Sequence, residues 1–128
     1  LFRSKVGKFI MGGPMMGMTQ YTTNIVTNKG SSGILCISEE EAKIDEPSNC
    51  LRCGRCTDVC PAFLQPLYIS ANSLKGDFER AAEHRALDCI ECGSCSFICP
   101  ARRPLVESIR NAKRQIQAMR RKQQAANK

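Results

Sequence analysis

The same run of cysteines occurs twice in this chain, as CLRCGRCTDVCP at Cys50–Pro61 and as CIECGSCSFICP at Cys89–Pro100, 39 positions apart. Both have the spacing C-x-x-C-x-x-C-x-x-x-C-P, with Gly at the fifth place and apolar residues at the second and tenth. A 4Fe–4S cube needs one thiolate on each of four irons. A C-x-x-C-x-x-C loop wraps three of them, and the fourth must come from elsewhere. Where two such runs share a fold, the fourth cysteine of each ligates the other cluster. The spacing therefore assigns Cys50, Cys53, Cys56 and Cys99 to one 4Fe–4S cluster and Cys89, Cys92, Cys95 and Cys60 to a second. Gly54 and Gly93 let the backbone approach the cubes, Leu51, Val59, Ile90 and Ile98 are positioned to shield them from water, and Pro61 and Pro100 turn the chain away afterwards.

The other chemistries of cysteine fit less well. Structural zinc takes its ligands as two pairs, whereas each run here offers three close ligands and a fourth before proline. Disulfides belong to oxidising compartments, and nine cysteines leave one over. No run approaches the roughly 18 apolar residues of a membrane span, and no charged start followed by an apolar stretch marks a secretory signal. A soluble, intracellular protein is expected, and the start at Leu1 suggests a piece of something longer. With five Phe, two Tyr and no Trp, large core anchors are scarce, so something besides apolar burial must hold part of the chain together.

The expected fold class is α+β. Residues 1–37 mix glycine-rich turns with the β-prone runs Lys8–Met11 and Ile34–Ile37, and the acidic stretch Glu39 to Pro47 connects them to the first cysteine run. A boundary is placed near Asp45. This divides the chain into a β-rich fragment with its connector over 1–45, a helical two-cluster domain over 46–113 and a basic helical tail over 114–128. Between the runs, Gln65–Leu74 and Asp77–Arg85 read as two short helices, with Gly76 stopping one and Asp77 starting the next. A last helix is expected from Pro104 to about Ala118, with Gln123 to Lys128 frayed. Its apolar residues Leu105, Ile109, Ala112, Ile116 and Met119 form a stripe judged too narrow for a core but sufficient to lie on a partner.

The net charge of +7 is concentrated: residues 101–128 carry nine Lys/Arg against Glu107 alone, so residues 1–100 net to −1. Arg110, Arg114, Arg120 and Arg121 are the expected docking residues, facing an acidic protein or an anionic membrane leaflet. No aromatic or base-reading groups accompany the tail, which argues against a zinc-held nucleic-acid binder. Cys36 in ILCI reads as a core cysteine, His84 as a surface helix residue, and Met15, Met16 and Met18 as turn and packing.

With these pieces placed, the chain resembles the C-terminal part of the C subunit of the Rnf electron-transport complex. The resemblance rests on GGPMMG at Gly12–Gly17, GSSGILC at Gly30–Cys36, both cysteine runs, LDCIECGSCSFICPA at Leu87–Ala101 and PLVESIRNAK at Pro104–Lys113, and covers residues 8–113. It implies the end of a β-grasp ligand-binding domain followed by a two-cluster ferredoxin-type domain. It further implies a peripheral oxidoreductase subunit on the cytoplasmic face of a prokaryotic inner membrane. The complex exchanges electrons between ferredoxin and NAD with ion translocation, so other membrane subunits and soluble ferredoxin are the implied partners, and no nucleic acid. FMN and NAD(H) are expected only in the full-length subunit, since no segment here offers to hold them and no catalytic residue is assigned. The cobalamin reductase of related microcompartments and a free diffusible ferredoxin are the alternatives. A compact, acidic ferredoxin would lack both the β-rich fragment and the basic helix.

Overall fold

The computed structural model describes residues 5–43 and 46–126. It is α+β, and it divides between Glu46 and Pro47 into two compact units. The boundary expected near Asp45 lies outside the described residues.

In the first unit the β-prone runs pair as an antiparallel sheet of β1 (Val6–Met11), β2 (Met18–Gln20) and β3 (Ile34–Ser38) in the order β2-β1-β3. Phe9 stands opposite Gln20 on one side and Cys36 on the other. The β1/β3 register slips between Val6 and Lys8, where Gly7 is pressed so closely that a Cβ would lie 2.6 Å from the Glu39 backbone. Met18 opens β2 and is exposed, as are Met15 and Met16 in the preceding turn, so the three belong to a strand and a turn and not to a buried core. Cys36 is half-buried on β3.

The second unit is helical. Two four-residue helices, α1 (Arg55–Asp58) and α4 (Ser94–Phe97), lie inside the cysteine runs, and α2 (Pro66–Lys75) and α3 (Phe78–Glu83) fill the interval between them. The punctuation is as the sequence has it. Gly76 takes a left-handed φ of 79° and closes α2, and the Asp77 carboxylate accepts from the Arg80 amide to open α3. His84 caps the end of α3 and stacks on Tyr68 of α2, ring centroids 5.6 Å apart.

The long helix α5 (Leu105–Ala126) corrects two expectations. It continues past Gln123 instead of fraying there, because Gln, Lys, Arg and Ala are strong helix formers and no Gly or Pro interrupts them. Its stripe is also no spare surface: Leu105, Val106, Ile109, Ala112 and Ile116 are buried, and Ile109, Ala112 and Ile116 form one cluster with Leu64, Ile69, Ala81 and Ala86. Small residues on α2 let a narrow stripe close into a core. Ser70 and Ser73 face α5, where Ser73 donates to the Ser108 carbonyl at 2.7 Å and the Ser108 hydroxyl meets that of Ser70 at 2.7 Å. These buried hydroxyls are thereby satisfied.

Ile69, Leu105 and Ile109 are the largest fully buried side chains. Ile109→Ala is expected to destabilise the second unit by about 2–5 kcal/mol, seen as an earlier chemical-unfolding midpoint, whereas Arg121→Ala should stay within about 0.5 kcal/mol of the parent.

Candidate iron–sulfur centres

The repeat in sequence is a repeat in backbone. Arg52 and Glu91, third in their runs, both adopt left-handed conformations (φ 53° and 59°), as do Gly54 and Gly93 (79° and 83°) and Phe63 and Arg102 (50° and 49°). The hydrogen bonds repeat too. Thr57 and Ser96 donate to the carbonyls of Gly54 and Gly93, and Phe63 and Arg102 donate to those of Cys60 and Cys99, both at 3.0 Å. The Arg52 and Glu91 amides each lie 3.4 Å from the sulfur of the first cysteine, Cys50 and Cys89. Glycine stands at Gly54 for its positive φ, since a Cβ there would meet nothing within 4 Å among the described residues.

Two cavities result, and the thiols sort between them crosswise. The first, of ≈ 580 Å³, is lined by Cys50, Cys53 and Cys56 from one run and Cys99 from the other. The second, of ≈ 20 Å³, is lined by Cys89, Cys92 and Cys95 with Cys60. Packing of α1 against α4 brings the runs together. Each set is four soft thiol donors, the ligand type an iron–sulfur cube takes. The first cavity has room for such a body, while the second needs its thiols to move apart. Among the described residues no three His, Cys, Asp or Glu side chains close on a single ion. Cys36 lines neither cavity. Of the proposed shields, Leu51 lines the first cavity and Ile90 the second, both still largely exposed, while Val59 and Ile98 line neither.

The second set is the more buried. Desolvation raises the Cys89 thiol above its ordinary range, and burial, with Cys89 nearby, pushes Cys95 up to about 11. The Ser94 hydroxyl, 3.4 Å from Cys92, draws that thiol down. Metal ligation requires thiolates, so loading this set at neutral pH must expel protons, and that of Cys95 costs the most to remove.

Sequence reasoning missed the clamp that α5 places on the second run. Lys113 donates to the Cys89 carbonyl at 2.7 Å and pairs with Glu91 at 2.6 Å, while Arg110 reaches Glu91 at 3.0 Å and Glu107 at 3.3 Å. The Arg110 side chain is only 10% exposed, so it is an inward-facing residue of the fold and not the docking residue expected. Burial pushes the Glu91 carboxyl up, but its hydrogen bonds and charge contacts with Lys113 and Arg110 outweigh this and hold it below the usual carboxylate range. Ser96 accepts from the Val106 amide at 2.9 Å, which joins the same run to the start of α5. The only advance signal is composition: two cations four or fewer residues apart on a stripe-bearing helix, with no indication of which acid they meet.

The 4Fe–4S dicluster domain family matches residues 42–100. Over 121 residues the chain is 59% identical to the C subunit of the Na(+)-translocating ferredoxin:NAD(+) oxidoreductase complex of Acetobacterium woodii, covering 94% of this chain and 27% of that protein. It is 46% identical over 118 residues to the proton-translocating counterpart of Clostridium ljungdahlii, covering 91% and 26%. It is also 46% identical over 115 residues to the C subunit of the ion-translocating oxidoreductase complex of Methanosarcina acetivorans, covering 90% and 26%. The chain thus spans about a quarter of the length of these relatives. Among the described residues no helix is long and apolar enough to cross a membrane.

Lys113→Met keeps the aliphatic stem and removes the charged donor to the Cys89 carbonyl. It should cost about 1.5–3 kcal/mol, measured as a lower unfolding temperature of the reconstituted protein, with faster amide exchange at Ile90 and Glu91.

Proposed function

Starting from a chain that is homologous over at least nine-tenths of its length to the C subunits of ion-translocating oxidoreductase complexes, we propose that it is an electron-transfer module holding two 4Fe–4S clusters. Cys50, Cys53, Cys56 and Cys99 ligate one, and Cys89, Cys92, Cys95 and Cys60 the other. The observation that carries this reading is the crosswise sorting of eight thiols into two groups of four. Bound clusters supply one-electron transfer. The chain's own residues supply the thiolates, the amides of Arg52 and Glu91 directed at sulfur, and the clamp from α5.

In this proposal the sheet of the first unit is the end of a β-grasp domain, and FMN and NAD(H) belong to the remaining three-quarters of the protein. The division into 1–45, 46–113 and 114–128 becomes a division of labour. The β-rich fragment leads from the flavin-bearing part, the middle relays electrons, and the tail attaches. The whole subunit sits peripherally on the cytoplasmic face of the membrane, exchanging electrons with soluble ferredoxin and with the other members of the complex. The attachment uses Arg114, Arg120 and Arg121, which are exposed on α5 outside its buried stripe.

Reconstituted protein should contain about eight iron atoms and equivalent acid-labile sulfide per chain, four per cluster; zinc in place of iron would refute the reading. Cys60→Ser should perturb the cluster held by Cys89, Cys92 and Cys95, and loss of the cluster of its own run instead would reverse the ligand assignment. Replacing Arg114, Arg120 and Arg121 with Gln should release the protein from membranes at lower salt than the parent while leaving iron content unchanged. Superimposable salt profiles would remove the tail from the docking role.

A further inference from the structure

The two cavities share a backbone but not their charges. Leu64 and Arg103 occupy the same place in the repeat, four residues after the fourth cysteine, and each lines the cavity that its preceding cysteine enters. Arg52 and Glu91 differ in the same way at the third place. The first cavity is lined by Arg52, Arg55 and Arg103 and by no acid. The second has no charged lining residue at all. The charges near it, Glu91 and Glu107 against Arg110 and Lys113, are two of each sign and are paired with one another.

Arg52 and Arg55 are exposed, so water and salt screen them. Arg103 differs: its Nε is buried and, among the described residues, has no hydrogen-bond acceptor. A buried donor of this kind costs free energy unless something accepts from it. The cavity it lines holds four thiols and, on the reading above, a cube whose sulfurs are acceptors.

We infer that Arg103 donates from Nε to a sulfur of the cluster in the first cavity, and that this donation gives that cluster the higher reduction potential of the two. The inference rests on the two-cluster reading and adds an order to it. A cube with four thiolates is anionic and gains a further negative charge on reduction, so a neighbouring cation and a donor to sulfur favour the reduced form. The amides of Arg52 and Glu91 sit alike in both runs and cannot distinguish the sites. The second site has two further donors, the Leu64 amide 3.3 Å from the Cys60 sulfur and the Ser94 hydroxyl 3.4 Å from the Cys92 sulfur. Both are neutral, and charge-assisted hydrogen bonds are roughly twice as strong as neutral ones. The guanidinium decides the order. Electrons entering the pair collect on the cluster held by Cys50, Cys53, Cys56 and Cys99, and the step from the other cluster is downhill.

The test is a potentiometric titration, followed by electron paramagnetic resonance, of the intact protein reconstituted with iron and sulfide. Two one-electron midpoints are expected. Arg103→Leu gives the first cavity the side chain that Leu64 gives the second, and should lower the higher midpoint by about 59 mV, a tenfold change in that equilibrium, leaving the lower midpoint in place. Arg103→Lys keeps the charge without the Nε donor and should give a smaller fall. An unmoved higher midpoint, or movement of the lower one alone, overturns the inference while the iron content upholds the clusters. Should the variants fail to assemble, parent protein labelled with nitrogen-15 at arginine Nε alone, which leaves the Arg52 amide beside Cys50 unlabelled, is poised where only the higher-potential cluster is reduced. A nitrogen coupling to its spin is expected there, and its absence overturns the inference. A parent that takes up no iron fails the underlying reading and the inference with it.

Discussion

The second unit depends on one geometric demand, that a thiol from each cysteine run be delivered to the group formed by the other. Cys60 and Cys99 each stand ten residues beyond the first cysteine of their run, and each reaches the opposite cavity only because α1 and α4 pack together. The apolar core available to support that contact is small. The core is built on Ile69, Leu105 and Ile109 with alanines and a few smaller partners. Small apolar cores leave little margin over conformational entropy. On the proposed reading, ligation closes the gap, since metal binding to a site absent in the unfolded chain is folding free energy. Helix α5 then serves both parts. Its stripe completes the core, and Arg110 and Lys113 from the same helix hold the second run.

What can be read from the sequence is whatever local rules decide. Gly76 and Asp77 fix the junction of α2 and α3 because a left-handed residue and a side-chain acceptor act on their own neighbours. The cysteine spacing sets the two local groups of three for a similar reason, whereas the placing of Cys60 and Cys99 at the opposite cavities needs the packing of α1 against α4. The errors on α5 lie where the answer depends on distant chain. A stripe's width does not reveal its partner. Here the facing surface of α2 presents Ser70 and Ser73, small enough to let Ile109 and Ala112 sink in, and nothing in the helix itself announces them. Arg110 reads as a surface cation because Glu91, its inward partner, comes from 19 residues away in a loop held at positive φ. In the first unit the three-residue β2 escapes notice because so short a strand has no period to detect, and pairing with β1 alone defines it.

A backbone repeat with unlike side chains separates two requirements that a pair of clusters must meet. Ligand geometry must be the same at both sites, because the cubes are the same size. The matched left-handed residues and matched amide-to-sulfur distances meet that requirement. Two identical sites, however, would be isoenergetic and give a relay no direction. Direction requires that the environments differ where the backbone does not, and in this chain the differences fall on side chains at matched places in the repeat: Arg52 against Glu91, with φ of 53° and 59°, and Leu64 against Arg103.

One device keeps those charges from cancelling. Glu91 could have drawn the first cavity's arginines or offset them, but Arg110 and Lys113 engage it instead, at the second run. The clamp that fastens α5 to Cys89 therefore also neutralises Glu91 beside the second cavity, leaving the charges there balanced, while the first cavity is lined by three arginines. Neither effect would exist if α5 were only the surface helix its basic sequence suggests. The burial of Arg110 and the reach of Lys113 turn one helix into core, clamp and counter-charge at once, and leave the arginines of the first cavity as the charges by which the two sites differ.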